Sequence, residues 1–165
     1  MLIILSGYMG CGKSLVGATL AQKLNYDFIA QQEKMSISAL FRLKGELYFR
    51  RKEFFYLREL LKNRKKTVLA LGGGTPCYGK NMDLILEHTP YVFYLKATVE
   101  TLEQRLKKEQ QQRPLIKDIQ REKLSEFIRK HLFERAYYYL KAPNSIAVDD
   151  LQPLEIAARI IANIT

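Results

Sequence analysis

At 165 residues the chain amounts to about one domain, long enough to bury a full core and too short for two ordinary ones. Apolar residues make up 47% and charged residues 27%, which excludes a disordered chain and predicts a soluble globular one; no run of about eighteen apolar residues supports a membrane span. The formal net charge of +10, from 27 Lys and Arg against 17 Asp and Glu, predicts an anionic partner, either nucleic acid or small anions such as phosphates and carboxylates.

The first element is the apolar run LIIL (Leu2–Leu5), which predicts a buried strand. It is too short for a signal sequence and has no basic segment ahead of it, so a cytoplasmic location is expected. GYMGCGKS (Gly7–Ser14) follows directly, and a helical pattern runs from Lys13 to Leu24. A weaker strand, YDFI (Tyr26–Ile29), precedes a helix over Gly45–Leu61. The strand VLAL (Val68–Leu71) then leads into Gly72-Gly73-Gly74, with a helix over Asn81–Glu87 behind it. The strand YVFYL (Tyr91–Leu95) and a helix over Val99–Lys107 come next, and the polar stretch EQQQ (Glu109–Gln112) reads as part of a mobile loop. A helix over Glu122–Leu140, the strand SIAV (Ser145–Val148) and a helix over Leu154–Ile161 complete the chain. This alternation predicts an α/β fold, a three-layer parallel sheet of about five strands with helices on both faces, and ligands at the carboxyl ends of the strands.

GYMGCGKS fits the pattern GxxxxGK[ST] in its required context, after a strand and before a helix. There successive backbone N–H groups turn inward around an anion at the positive end of the helix dipole. It is a nucleotide-binding P-loop, with Gly10, Cys11, Gly12, Lys13, Ser14 and Leu15 as the ATP-binding candidates. Lys13 reaches the β- and γ-phosphates, and the Ser14 hydroxyl is the candidate magnesium ligand.

A P-loop alone does not separate a kinase from a GTPase or a motor. No guanine-reading NKxD is present, and VLAL ends in three glycines where a motor needs a Walker B acid. Glycines at a strand end suit close approach of a small ligand to main-chain N–H groups, or form a plain tight turn. Between Arg42 and Lys66 ten basic residues face three acidic ones, and about seven of the ten read as solvated helix-face charges. FRRKEFFYLREL interleaves apolar residues at helical spacing as a core helix would, which argues against a nucleic-acid surface. Cys11 and Cys77 are too few for a disulfide framework or a zinc site, and read as plain thiols at one end of the sheet.

Taken together, GYMGCGKS, SISALFRLKGELYFRRKE (36–53), LALGGGTP (69–76), QQRPLI (111–116) and FERAYYY (133–139) resemble the shikimate kinases over most of the chain. Other P-loop small-molecule kinases, such as gluconate or nucleoside monophosphate kinases, share the first motif and lack the combination of FRxxE, GGG, RPL and ERxxxY. The resemblance implies a single P-loop kinase domain over residues 1–165, with an acceptor-binding segment at about 30–62 and a lid at about 108–121. It implies Arg50 and Arg135 as clamps on the shikimate carboxylate, a task suited to a planar guanidinium. Glu53, three residues beyond Arg50 on the same helical face, would orient it, and Gly73 and Gly74 would bind the acceptor through main-chain amides. Arg113, read from the residues alone as a loop cation before Pro114, becomes the lid arginine that stabilises the transferring phosphate and serves with Lys13 in catalysis. The implied reaction is ATP plus shikimate giving ADP and shikimate 3-phosphate on the route to chorismate and the aromatic amino acids. Magnesium would bridge the β- and γ-phosphates, and a monomer with no nucleic-acid or membrane partner is expected.

One part of the family pattern is missing. After the second strand, members carry an acidic DxD that supports the magnesium shell and the acceptor hydroxyl. Here Phe28-Ile29 is followed by AQQEK, and no aspartate occurs between Asp27 and Asp83. Three readings fit: a stretch not represented in the sequence, a deletion that leaves an ATP-binding homologue with impaired transfer, or Glu33 in place of one aspartate.

Overall fold

In a computed structural model of the chain, residues 1–31, 45–62 and 64–165 are described; Glu33, the SISALF stretch (36–41), Arg42 and Lys44 lie outside them. The strands are β1 (Leu2–Ser6), β2 (Asp27–Ala30), β3 (Thr67–Ala70), β4 (Val92–Lys96) and β5 (Asn144–Ala147). The helices among the described residues are α1 (Lys13–Leu24), α2 (Glu46–Leu61), α3 (Asn81–His88), α4 (Val99–Glu109), α5 (Leu124–Tyr139) and α6 (Pro153–Ile164). The strands form one parallel sheet in the order β2-β3-β1-β4-β5, the architecture expected from the alternating pattern.

β1 lies at the centre because all five of its residues are apolar or small and can be buried on both faces. Side-chain alternation then divides the core. Ile3 and Leu5 join Val16, Leu20, Phe93, Ile156 and Ile160 on one face, while Leu2 and Ile4 join Leu57, Leu61, Met82 and Ile85 on the other. Burying each such side chain contributes about 1.5–3 kcal/mol. α1 and α6 thus cover one face, and α2 and α3 the other.

The register places the two loops of interest side by side. Leu5 of β1 pairs with Ala70 of β3, and the Leu71 N–H donates to the Leu5 carbonyl at 3.0 Å. The chain therefore leaves β1 into GYMGCGKS and leaves β3 into Gly72-Gly73-Gly74 at the same carboxyl edge of the sheet. This edge is where a doubly wound sheet opens a crevice.

The polar stretch at 109–112 differs from the mobile loop expected of it. Glu109 ends α4, Gln110–Gln112 form a 3₁₀ turn, and Gln110 is buried. Its Nε2 donates to the carbonyls of Ile116 at 3.0 Å and Ile119 at 2.6 Å, so one side-chain amide ties down the following turn. The basic segment behaves as expected: Arg51, Lys52, Arg58, Lys62, Arg64, Lys65 and Lys66 are all exposed. Among the described residues no helix is long and apolar enough to cross a membrane.

Candidate active site

Helices α4 and α6 start with side-chain caps, Thr98 in one and a Gln152–Glu155 capping box in the other. α1 starts at Gly12 with none, as do α2, α3 and α5. Its first N–H groups have no acceptor within the helix, so their partner must come from elsewhere, and an anion fits. Gly7 lets the loop fold this tightly: its φ is 147°, and a Cβ there would stand 2.7 Å from the Leu95 carbonyl oxygen. Lys13 is buried, and its Nζ donates to the carbonyls of Gly7 at 2.7 Å and Tyr8 at 3.0 Å across the mouth of the loop. Ser14 and Leu15 are exposed beside it.

Arg105 of α4 was not among the expected site residues. Its Nη1 donates to the Gly10 carbonyl at 3.2 Å, so a second cation fastens the loop, at Gly10 where Lys13 holds Gly7 and Tyr8. It is half-buried beside the inaccessible Leu102 and Leu106, but so are Glu103, Lys107 and Glu109 on the same helix, so no charge pattern in the sequence marks it out.

The Gly72–Gly74 turn is gripped from three elements. At the end of β2 the Gln31 Oε1 accepts from the Gly72 N–H at 3.2 Å. From α5, Arg135 lies against it: a Cβ on Gly73 would stand 3.4 Å from Nη1, and one on Gly74 3.1 Å from Nη2. From the P-loop, Met9 N and Gly7 O lie 3.3 Å and 3.5 Å from the same Gly73 position. Phosphate loop, glycine turn and Arg135 thus form one continuous surface.

Arg135 is 8% exposed, and among the described residues no carboxylate pairs with it. Burial works against its charge, but the Tyr139 hydroxyl, the Cys77 thiol and the Tyr78 hydroxyl outweigh it, and its pKa lies above the ordinary guanidinium value. A buried guanidinium facing main-chain amides without a carboxylate is built to receive an anion.

Arg50 stands on α2, its Cζ 3.0 Å from the centroid of the Tyr78 ring and its Nη1 3.5 Å from Glu53 Oε1. The same oxygen accepts from Asn81 Nδ2 at 3.3 Å, and Asn81, itself buried, also donates to the Thr75 carbonyl at 2.8 Å. Asn81 therefore links α2, through Glu53, to the segment that follows the three glycines. Beside Arg50 an open cleft of about 1100 Å³ runs along α2, with Arg51, Phe54, Tyr78 and Lys80 on its walls.

Arg113 is held by Glu109, whose Oε2 accepts from Nε at 2.7 Å and from Nη2 at 2.5 Å. Among the described residues no hydrogen bond joins Arg113 to the phosphate loop. β2 ends at Ala30, and the residue after it is an amide, Gln31. Neither Cys11 nor Cys77 is in a disulfide; Cys11 lies 3.7 Å from Lys13 Nζ, and the Cys77 thiol points to the Gly73 carbonyl at 3.8 Å.

The family model described as shikimate kinase matches residues 9–165. The chain is 37% identical over 164 residues to a shikimate kinase of Flavobacterium psychrophilum, covering 96% of this chain and 95% of that protein. Among solved structures it is similar to the shikimate kinase of Bacteroides thetaiotaomicron, with a TM-score of 0.86 at 29% identity over 99% of this chain and 97% of the other. It is also similar to the Acinetobacter baumannii shikimate kinase in complex with shikimate, with a TM-score of 0.81 at 31% identity over 99% and 92% of the two chains.

Proposed function

The chain belongs to the shikimate kinase family, and on that premise we propose that it transfers the γ-phosphoryl group of ATP to the 3-hydroxyl of shikimate. The observation that carries the acceptor half of this reading is Arg135, buried against Gly73 and Gly74 beside the P-loop and with no carboxylate of its own among the described residues.

The N–H groups at the start of α1 hold the phosphates, with Lys13 moving its Nζ from the carbonyls of Gly7 and Tyr8 onto the β- and γ-oxygens. Arg105 keeps the loop in shape through Gly10. Ser14 is the residue that would hold magnesium. One exposed hydroxyl, with no cluster of three His, Cys, Asp or Glu among the described residues, fits an ion that arrives on the nucleotide's phosphates and keeps its waters. Bound there, magnesium would supply positive charge against the phosphate oxygens. Arg135 and Arg50 take the acceptor carboxylate, Gly73 and Gly74 offer main-chain N–H groups, and Glu53 orients Arg50. Arg113 leaves Glu109 when the lid at about 108–121 closes, and places its guanidinium against the phosphoryl group in flight. Phosphoryl transfer passes through a loose transition state, so positioning and charge supply most of the rate. Two buried thiols outside any disulfide suit a cytoplasmic enzyme.

One observation favours a second reading, an ATP-binding homologue with impaired transfer: no aspartate occurs between Asp27 and Asp83, and the first residue after β2 is an amide, Gln31, bonded to the Gly72 N–H. A coupled assay of ADP release with and without shikimate separates the two. Shikimate-dependent release supports the kinase; ATP binding without it supports the homologue.

A further inference from the structure

We propose that Tyr139 is a positioning residue for the acceptor, its hydroxyl fixing the Gly73–Gly74 peptide against Arg135; this rests on the acceptor reading above. Tyr139 ends α5 one turn beyond Arg135, on the same helical face, and is fully buried. Its hydroxyl donates to the Gly73 carbonyl at 2.6 Å across 66 residues of chain. The ring stacks on Tyr94 of β4, with centroids 5.2 Å apart and planes at 27°. Tyr94 pairs in register with Ser6, the last residue before the P-loop, so the stack is anchored on the strand next to β1.

The consequence follows from peptide geometry. The described chain contains no cis peptide bond, so the Gly74 N–H points opposite to the Gly73 carbonyl. A hydroxyl that pins the carbonyl on the α5 side thereby sets the direction of the next amide, one of the two expected to meet the acceptor. Burial, and after it the Cys77 thiol, hold the Tyr139 pKa far above the ordinary phenol range, with Arg135 opposing, so the hydroxyl stays a donor. The same hydroxyl faces Arg135 and helps to sustain its charge. One buried O–H thus orders both the charged and the main-chain half of the acceptor site. A bond in such a dry place is worth more than one at the surface.

The test is Tyr139→Phe in the full chain, which keeps the ring and its stack and removes only the hydroxyl. The KM for shikimate should rise about tenfold with the KM for ATP nearly unchanged, the thermal midpoint should fall by a few degrees, and amide exchange over Gly72–Thr75 should accelerate about tenfold while that of α1 does not. A shikimate KM within about twofold of the parent, or a parallel rise in both KM values, overturns the proposal. If the parent protein itself does not turn over shikimate, the acceptor reading fails, and the exchange measurement alone decides Tyr139: unchanged protection over Gly72–Thr75 overturns its role.

Discussion

The Arg135 guanidinium rests on the main chain of Gly74 so closely that a Cβ there would stand 3.1 Å from its Nη2. Glycine at 74 is a matter of space, because its φ of −86° suits any residue. Gly74→Ala should crowd the arginine by about 1 kcal/mol and raise the KM for shikimate roughly fivefold, leaving the KM for ATP unchanged. Gly73→Ala should cost more. Its Cβ would stand 3.3 Å from a backbone atom, Met9 N, which has less room to give than a side-chain end. Steady-state kinetics on both variants checks the order.

Arg113 and Glu109 make a second pair with a kinetic consequence. Their side chains are 34% and 46% exposed, so the ion pair is worth under about 1 kcal/mol and is easily broken. Arg113→Ala should therefore lower kcat by about a thousandfold with little change in the KM for ATP, because the guanidinium acts in the transition state. Glu109→Gln should change kcat by less than about fivefold, the limit set by the worth of the pair. A larger loss on Glu109→Gln would mean that the carboxylate has another task.

Glu53 receives both Arg50 and Asn81 on one oxygen, at 3.5 Å and 3.3 Å. Glu53→Gln keeps the shape and removes the charge that aligns Arg50, and should raise the KM for shikimate about tenfold. Asn81→Ala should also lower stability by about 1–3 kcal/mol, since it leaves the buried Thr75 carbonyl without its 2.8 Å donor. Urea unfolding followed alongside kinetics distinguishes the two effects.

Acid stability depends in part on Asp149, which accepts from the N–H and the hydroxyl of Thr98, both at 2.9 Å, at the start of α4. Burial raises its pKa, but hydrogen bonds from Thr101 and Thr98 outweigh this and hold it below the ordinary 3.8. A depressed folded pKa gives stability that is present above the unfolded value and is lost as pH falls through the folded one. Asp149→Asn should lower stability near neutral pH by under about 1 kcal/mol, because solvent screens a partly exposed group. Its difference from the parent should fade as pH drops below 3.8. A constant difference down to the lowest pH would contradict this assignment.

Local features were readable from the chain, and partnerships distant in sequence were not. LIIL, the glycines and Lys13 specify a strand, a tight turn and a helix start within a few residues, so the P-loop and its place at a strand end were legible. Each predicted strand and helix is present with its ends moved by no more than three residues, because apolar runs between turn residues leave a parallel sheet little choice. The surface of α5 is another matter. Phe133 is 83% and Tyr137 66% exposed while Arg135 is 8% exposed and buried on the same side as Ile128 and Tyr139, so two apolar residues face out and the arginine faces in, against the rule that periodicity reading uses. The inward side is set by the Gly73–Gly74 turn, more than sixty residues away, as the Tyr139 bond across 66 residues illustrates. Gln110 was obscured for the same reason, since a polar tract reads as loop until its carbonyl partners are known.

The central claim is that this chain phosphorylates shikimate despite an amide, Gln31, beside the glycine turn. The most direct test is to incubate the purified protein with ATP, magnesium and shikimate and to identify the products by mass spectrometry, with Lys13→Ala as the control. The account predicts ADP and shikimate 3-phosphate in equal amounts with the parent protein, and neither above background with the variant. ADP formed at the same rate with or without shikimate, or no phosphorylated shikimate at all, would contradict it.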